Sequence, residues 1–253
     1  MRFEDAMRLS APIQAEADHV HVWLISLDAS ESELAHCQEL MSVSEIERAG
    51  RFLGRTDRDH FIVTRALLRR LLGLYCETPA SDIQFGVEAD GKPLLLCDRH
   101  PSLTFNLSHS GGMMLLGVAD GRPVGVDIEA QSHRTDPLRI AKRYFFGAEV
   151  SDIEEAPERQ RNALFLQYWV AKEAALKAAG VGLRYPLDGL CVHFSPDRMD
   201  ANVESLQPER LPADLKVRML PSEPGWYAAI ASRGHPWKCR RMPVAGTAPI
   251  YAA

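Results

Sequence analysis

The stretch Gly-Val-Asp-Ile-Glu, residues 125–129, places two acids inside an otherwise apolar run. In a strand, residues two apart point to the same face, so Asp127 and Glu129 would share one face while Val126 and Ile128 enter the core. Two like charges this close raise each other's pKa unless a cation lies between them, and Mg²⁺ favours such carboxylates. The stretch therefore predicts either a metal site or a solvated strand at the edge of a sheet.

The longest helical pattern in the chain covers residues 162–179 and ends at Gly180. Within it Trp169, Glu173 and Lys177 follow one another at intervals of four, so they form one stripe along the helix. Glu173 could join the two strand acids while Lys177 binds a phosphate. The alternative is a surface Glu–Lys pair that contributes about 0.2–0.5 kcal/mol. Trp169 favours the first interpretation, because a large aromatic residue indicates a face that points inward.

Two turns could add contacts to an anion. Asn-Leu-Ser-His-Ser-Gly-Gly, residues 106–112, closes a predicted strand, and its turn offers hydroxyls, backbone N–H groups and His109. Gly-Lys-Pro, residues 91–93, places Lys92 at a hairpin tip, where it is either solvated or a phosphate contact. For both stretches a plain solvent-exposed turn is the alternative.

The composition is that of an ordinary globular enzyme, with 46% hydrophobic and 25% charged residues. The net charge of −5 argues against a nucleic-acid binder. The first residues lack the apolar region of a signal peptide, and the chain has no apolar run of about 18 residues that could span a membrane. Five widely spaced cysteines predict reduced thiols rather than disulfides or a zinc site. We expect a cytoplasmic protein.

The two halves of the chain share a coarse plan of helices followed by hairpin-like strands. This predicts an α/β (α+β) fold of two packed subdomains, residues 1–121 and 122–253, that divide near Gly121. An amphipathic helix over residues 57–74 supports the first half. Just before it, Ser-Glu-Ile-Glu at residues 44–47 predicts a capping box that opens a shorter helix.

Four motifs stand in a fixed order that resembles the 4′-phosphopantetheinyl transferases of the Sfp type. They are Gly91-Lys-Pro93, Asn106-Leu-Ser-His-Ser110, Gly125-Val-Asp-Ile-Glu129 and Trp169-Val-Ala-Lys-Glu-Ala-Ala-Leu-Lys177. The resemblance covers about residues 44–190. It implies a pseudo-two-fold monomer with the active site in the cleft between its halves. It also implies that the phosphopantetheine arm of coenzyme A moves to a serine of an apo acyl or peptidyl carrier protein, with release of 3′,5′-ADP.

The resemblance also implies residue roles. Asp127, Glu129 and Glu173 would hold Mg²⁺ at the pyrophosphate, and Glu173 would take the serine proton directly or through a water, with Glu129 as the other candidate base. Lys177 would hold the pyrophosphate and stabilise the leaving group. The remaining expected contacts to coenzyme A are Arg48, Arg51, Lys92, Ser108 and His109. The catalytic residues would thus be Glu173, Lys177 and Asp127.

One position departs from the family pattern, because Glu45 stands where a basic residue is common. It leaves open which of Arg48, Arg51 and Arg55 would contact the 3′-phosphate. Two other functions also stay open at this point: a coenzyme A or carrier-protein binding module without catalysis, and a different Mg²⁺-dependent phosphohydrolase. Three carboxylates around one metal favour the transferase over a pure binding module.

Overall fold

The computed structural model describes residues 1–87, 93–132, 136–182, 185–222 and 224–242. Two short 3-10 helices, Ala80–Asp82 and Leu187–Gly189, accompany the main elements. The helices are α1 Phe3–Met7, α2 Glu31–Glu39, α3 Val43–Ala49, α4 Arg55–Cys76, α5 Pro137–Tyr144, α6 Gly147–Glu155 and α7 Glu158–Ala179. The strands are β1 His19–Ser26, β2 Gln84–Val87, β3 Pro93–Leu96, β4 Leu103–Ser110, β5 Met113–Asp120, β6 Val124–Ala130, β7 Leu190–Phe194, β8 Asp200–Ser205, β9 Lys216–Leu220, β10 Trp226–Ser232 and β11 Lys238–Arg241. None of the described helices combines the length and hydropathy that a membrane crossing needs.

The two larger sheets repeat one arrangement, which confirms the predicted α+β fold. The first sheet has the order β11-β1-β5-β4 and the second the order β6-β10-β9-β8-β7. In the first sheet the β4-β5 hairpin pairs antiparallel with β1, and in the second the β9-β10 hairpin pairs antiparallel with β6. Each of these partner strands precedes a 22-residue helix, which is α4 in the first half and α7 in the second. Strands β2 and β3 form a separate hairpin.

The division near Gly121 stays a prediction, and one strand crosses it. Strand β11 lies in the second half of the sequence but pairs parallel with β1 of the first sheet, with His21 opposite Arg240. The C-terminal half therefore supplies the edge strand of the N-terminal sheet.

The sheets pack face to face, and each covers its other face with helices. Between the sheets lie small and branched apolar side chains, among them Val22, Leu115, Val126 and Ile230. Helix α4 packs against the outer face of the first sheet, and α7 packs on β6 and β10 of the second. Both Val126 and Ile128 belong to the core between the sheets, as the alternation of β6 predicts.

Two local predictions were wrong. Strand β4 does not end before Ser108: it continues through Ser110, and only Gly111 and Gly112 form the turn, with the positive φ angles of 47° and 85° that a two-residue hairpin turn favours. The capping box of α3 uses Ser42 and Glu45 rather than Ser44 and Glu47. The same spacing of three fits both pairs, so the pattern alone could not choose between them.

Three elements were missed. Helix α1 and strands β8 and β11 are not predicted by the sequence pattern. Strand β8 buries only Ala201 and Val203 on alternate positions, while β11 is a short run of polar and basic residues. Such strands depend on their neighbours in the sheet for stability, and a strand with few apolar positions leaves little signal in the sequence.

Candidate active site

The proposed acidic residues meet where α7 crosses β6. A Cβ atom built on Gly125 would lie 2.1 Å from the carbonyl oxygen of Ala174 and 2.3 Å from the amide nitrogen of Ala178. Only glycine can occupy this position while the helix lies so close. The contact brings Glu173 and Lys177 of α7 over the face of β6 that carries Asp127.

Lys177 binds Asp127 directly. Its Nζ lies 2.7 Å from Asp127 Oδ1, 3.1 Å from the carbonyl oxygen of Val126 and 3.2 Å from Ser108 Oγ. The Asp127 side chain is almost fully buried, whereas that of Lys177 is partly accessible at 26% exposure. Lys177 therefore connects the interior of the site to solvent, where an anionic ligand could reach it.

Strand β4 supports β6 through a row of polar side chains. Ser108 Oγ donates to Asp127 Oδ1 at 2.8 Å, and Ser110 Oγ donates to Glu129 Oε2 at 2.9 Å. Asn106 Oδ1 accepts from the backbone N–H of Val126 at 2.9 Å. Because these β4 residues are two apart, they share one face of the strand. Asn106 and Ser110 were not among the predicted site residues, although polar residues at this spacing in a strand were the available signal.

Burial raises the pKa values of all three acids, and repulsion by neighbouring carboxylates raises those of Glu129 and Glu173 further. For Asp127 and Glu129 desolvation is the main cause, and Lys177 opposes it in both. For Glu173 desolvation comes first, and the charges of Asp127 and Glu129 raise its pKa further. Neighbouring carboxylates therefore repel both Glu129 and Glu173, and a bound cation would reduce this repulsion.

Two carboxylate oxygens in the site have no hydrogen-bond partner. Asp127 Oδ2 and Glu173 Oε1 are buried, and no donor contacts either of them. A buried carboxylate oxygen without a partner is unfavourable by about 1–3 kcal/mol or more. Within the described ranges, no three Asp, Glu, His or Cys side chains are already clustered as a metal site. The unpartnered oxygens nevertheless fit a hard cation, and Asp127, Glu129 and Glu173 are the residues that could hold it.

His109 lies on the opposite face of β4 from Ser108 and is exposed. Partial desolvation and the positive charges of His60 and Lys177 lower its pKa. The backbone turn at Gly112 lies beside the imidazole of His60. The lowered pKa favours the neutral imidazole of His109, which can still donate one N–H hydrogen bond to an anion.

A second cluster of positive charge lines a groove of about 870 Å³ between α3, α4 and the β2–β3 hairpin. Arg48 stands over the ring of Phe61 at 5.3 Å, and Arg65 over the ring of Phe85 at 4.6 Å. Buried Glu45 forms ion pairs with both Arg65 and Arg69.

The three arginines that sequence analysis left open have different environments. Arg48 lines the groove, Arg51 is exposed beyond the end of α3, and Arg55 pairs with Glu31 and Asp59. Lys92 falls outside the described residues. Its neighbour Pro93 lines the same groove as Arg48.

Aromatic residues flank the acidic site on its other side. Trp169 packs against Phe165, with ring centroids 5.8 Å apart, and Phe165 stacks on buried Phe145. Phe145 belongs to the core, whereas the neighbouring Tyr144 is 43% exposed. A cavity of about 190 Å³ lies between Glu129 and Trp169.

Comparisons with known proteins match both halves of the chain. A family model described as the 4′-phosphopantetheinyl transferase superfamily matches residues 123–231, and one described as 4′-phosphopantetheinyl transferase, N-terminal, matches residues 26–120. The 4′-phosphopantetheinyl transferase HetI of Nostoc sp. is 34% identical over 224 residues, which cover 88% of this chain and 91% of that protein. The 4′-phosphopantetheinyl transferase Sfp of Bacillus subtilis is 30% identical over 211 residues, 82% of this chain and 88% of that protein.

Proposed function

The chain belongs to the 4′-phosphopantetheinyl transferase superfamily, and on this premise we propose that the site between β6, α7 and β4 is where it transfers phosphopantetheine from coenzyme A to carrier proteins. One observation supports the location: Lys177 donates to buried Asp127, and two buried carboxylate oxygens beside it, Asp127 Oδ2 and Glu173 Oε1, have no hydrogen-bond partner. In the proposed reaction the serine oxygen of an apo carrier bonds to the phosphorus that bears the pantetheine arm. The bond from that phosphorus to 3′,5′-ADP breaks.

Asp127, Glu129 and Glu173 would hold Mg²⁺ in this proposal. The ion would supply positive charge to the pyrophosphate of coenzyme A, and it would also reduce the repulsion that raises the pKa values of Glu129 and Glu173. Ser108 and Ser110 fix the orientation of Asp127 and Glu129 through their hydroxyl groups. Such supporting hydrogen bonds hold ligands in the geometry that a metal needs.

Glu173 would act as the base for the serine hydroxyl, directly or through a water, and Glu129 remains the other candidate. A raised pKa suits a base, because proton transfer is most effective when the pKa lies near the working pH. Lys177 would turn from Asp127 toward the pyrophosphate and stabilise the negative charge that develops on 3′,5′-ADP.

Coenzyme A would extend from this centre into the groove beside α3. Arg48 is the arginine best placed for the 3′-phosphate, because it lines the groove, whereas Arg55 is already paired with two acids. We keep Arg51, Lys92 and His109 as further proposed contacts. The neighbouring arginines Arg65 and Arg69 already form ion pairs with Glu45, so Arg48 is the arginine of the groove that would bind the anion.

The carrier protein would dock at α5. This helix presents Arg139, Lys142 and Arg143 together with exposed Tyr144, whose ring lies 5.2 Å from the Arg143 guanidinium. A basic local surface would complement an acidic carrier helix although the whole chain has a net charge of −5. We further propose a monomer, because one chain supplies the four central side chains of the site, Asp127, Glu129, Glu173 and Lys177. We propose that it is cytoplasmic, because its five cysteines are free thiols.

The experiment that tests the site combines transfer with metal binding. The protein is incubated with coenzyme A, Mg²⁺ and several apo carriers, and the carrier is weighed by mass spectrometry. Asp127→Asn keeps the size of the side chain, and we expect it to lower transfer at least a hundredfold and to remove the stabilisation of the fold by Mg²⁺. Asp120→Asn, at the end of β5, is the matched control and should retain both. Full Mg²⁺-dependent transfer by Asp127→Asn would exclude the proposed metal site.

Lys177→Ala separates binding from chemistry. If Lys177 stabilises charge on the leaving group, its removal should lower the rate constant of transfer more than it weakens coenzyme A binding. Equal losses in both quantities would contradict that role.

A further inference from the structure

A cavity lies between the two sheets on the side away from the acidic site. At the active-site side, the edge strands β4 and β6 are bridged by hydrogen bonds from the backbone N–H groups of Val126 and Ala130 to Asn106 Oδ1 and Ser110 Oγ. At the opposite side β11 of the first sheet faces β9 of the second. There the sheets leave a cavity of about 280 Å³, close to the lower limit of cavities that hold small molecules.

The walls of this cavity are mostly apolar, and Asp200, Arg218 and Arg241 are its charged lining residues. Val22, Leu24, Leu115 and Ala228 are all buried and belong to the core between the sheets, and Leu220 packs beside them. Cys239 adds its side chain from β11; burial raises the pKa of this thiol to about 11, so it is uncharged at neutral pH. The interior therefore suits a hydrocarbon chain rather than a nucleotide or a sugar.

Two arginines stand at the edge of this apolar space. On β11, Cys239 and Arg241 share the face toward the cavity because they are two residues apart, while Arg240 points to the other face and pairs with Glu16. On β9, Arg218 lines the cavity and pairs with Asp200 at 2.8 Å.

Arg241 differs from Arg218 and Arg240 in its partners. It donates a long hydrogen bond of 3.4 Å from Nη1 to the carbonyl oxygen of Pro221. Among the residues that the structure describes, it forms no ion pair with a carboxylate. A guanidinium group without a carboxylate partner beside an apolar cavity is complementary to a ligand with an anionic head and an apolar tail.

We propose that this cavity binds a free anionic amphiphile, namely an unbranched medium-length acyl carboxylate, with its carboxylate on Arg241 and its chain between the sheets. The site is separate from the transfer site, since Asp127 and Glu129 lie on the face of β6 that points away from this core. The proposal does not depend on the proposed function.

The chain length of the ligand gives the first test. Binding of hexanoate, octanoate and decanoate to the full chain is measured by titration calorimetry below the concentrations at which they form micelles. Each methylene that enters the cavity should strengthen binding roughly three- to fourfold. Binding that does not saturate, or that is independent of chain length, would overturn the proposal.

Charge gives the second test, with a control on the same strand. Arg241→Met should weaken decanoate binding roughly tenfold or more, as expected for loss of one charge-assisted hydrogen bond. Arg240→Met changes the net charge equally but points away, so decanoate should bind as before. Equal weakening by both variants would show that only overall charge matters and would refute the assignment of Arg241.

Filling the cavity gives the third test. Cys239→Phe should abolish decanoate binding while phosphopantetheine transfer continues, since Cys239 contacts none of the four central side chains. Transfer activity also reports that the variant is folded. Decanoate binding that survives in a folded, active Cys239→Phe protein would place the ligand elsewhere and overturn the proposal.

Discussion

Substitution of Gly125 by alanine tests whether the approach of α7 to β6 builds the active site. The new methyl group would lie 2.1 Å from the carbonyl oxygen of Ala174 and 2.3 Å from the amide nitrogen of Ala178. Both atoms belong to the backbone, so no side-chain rotation can relieve the overlap. Carbon and oxygen atoms pack favourably at about 3.5 Å, so the helix would have to retreat by at least about 1 Å.

That retreat would separate the groups that the site brings together. Lys177 Nζ is 2.7 Å from Asp127 Oδ1, and a shift of about 1 Å exceeds the range of a strong charge-assisted hydrogen bond. A misplacement of this size can lower the rate of an enzyme by about a hundredfold. Overpacking should also lower the free energy of unfolding by about 1–3 kcal/mol. We therefore expect Gly125→Ala to be folded, less stable and nearly inactive.

The assay measures transfer by the mass gain of the carrier and stability by urea unfolding. Gly147→Ala is the matched control: Gly147 begins α6, and a Cβ atom there would meet no atom within 4 Å. This control should keep full activity and stability. A Gly125→Ala protein with the activity of the unsubstituted protein would refute the argument that close helix packing positions Lys177 and Glu173.

Four further outcomes concern the acidic site, the groove that Arg48 lines, and the buried pair of Lys172 and Glu149. Glu173→Gln should abolish transfer yet raise the melting temperature of the metal-free protein, because it removes a buried carboxylate that repels two others. Because the folded-state pKa values of the three acids are raised, their contribution to stability should fall as the pH rises from about 4 through those pKa values. The increase in melting temperature caused by Mg²⁺ should accordingly be larger at pH 8, where the acids are ionised, than at pH 5. Arg48→Ala should raise the KM for coenzyme A but change the KM for 3′-dephospho-coenzyme A little, with Arg55→Ala as the control. Lys172→Met should lower the free energy of unfolding by about 3–5 kcal/mol in urea unfolding, since it leaves buried Glu149 without its counter-charge.

The sequence predicted the elements of the site better than their environment. The alternation in residues 125–129 placed Asp127 and Glu129 on one face correctly, because a period of two is a local property of a strand. The spacing of four in α7 likewise placed Glu173 and Lys177 on one stripe. That the two faces meet depends on Gly125, whose role appears only when a helix distant in sequence packs against it.

Other features could not be read from the chain because they depend on contacts between remote segments. Ser108 was assigned to a turn, whereas β4 pairs with β5 through Ser110 and so aligns its hydroxyls with β6. Glu45 was noted only as a departure from a basic residue. In the folded chain it pairs with two arginines of α4, and these pairs become visible only when α3 packs against that helix.

The acidic site is held together against its own repulsion, and the anchors of α7 explain how. On one side the helix rests directly on the backbone of Gly125, so it cannot come closer to β6. On the other side fully buried Lys172 pairs with Glu149 of α6 at 2.7 Å and donates to the carbonyl oxygens of Leu187 and Leu190. Lys172 directly precedes Glu173, so this anchor and the acidic site lie on adjacent positions of one turn of the helix. Because α7 is fixed from both faces, Glu173 stays beside Asp127 and Glu129 despite the repulsion that raises its pKa, and this is the physical basis for the proposal that a cation binds there.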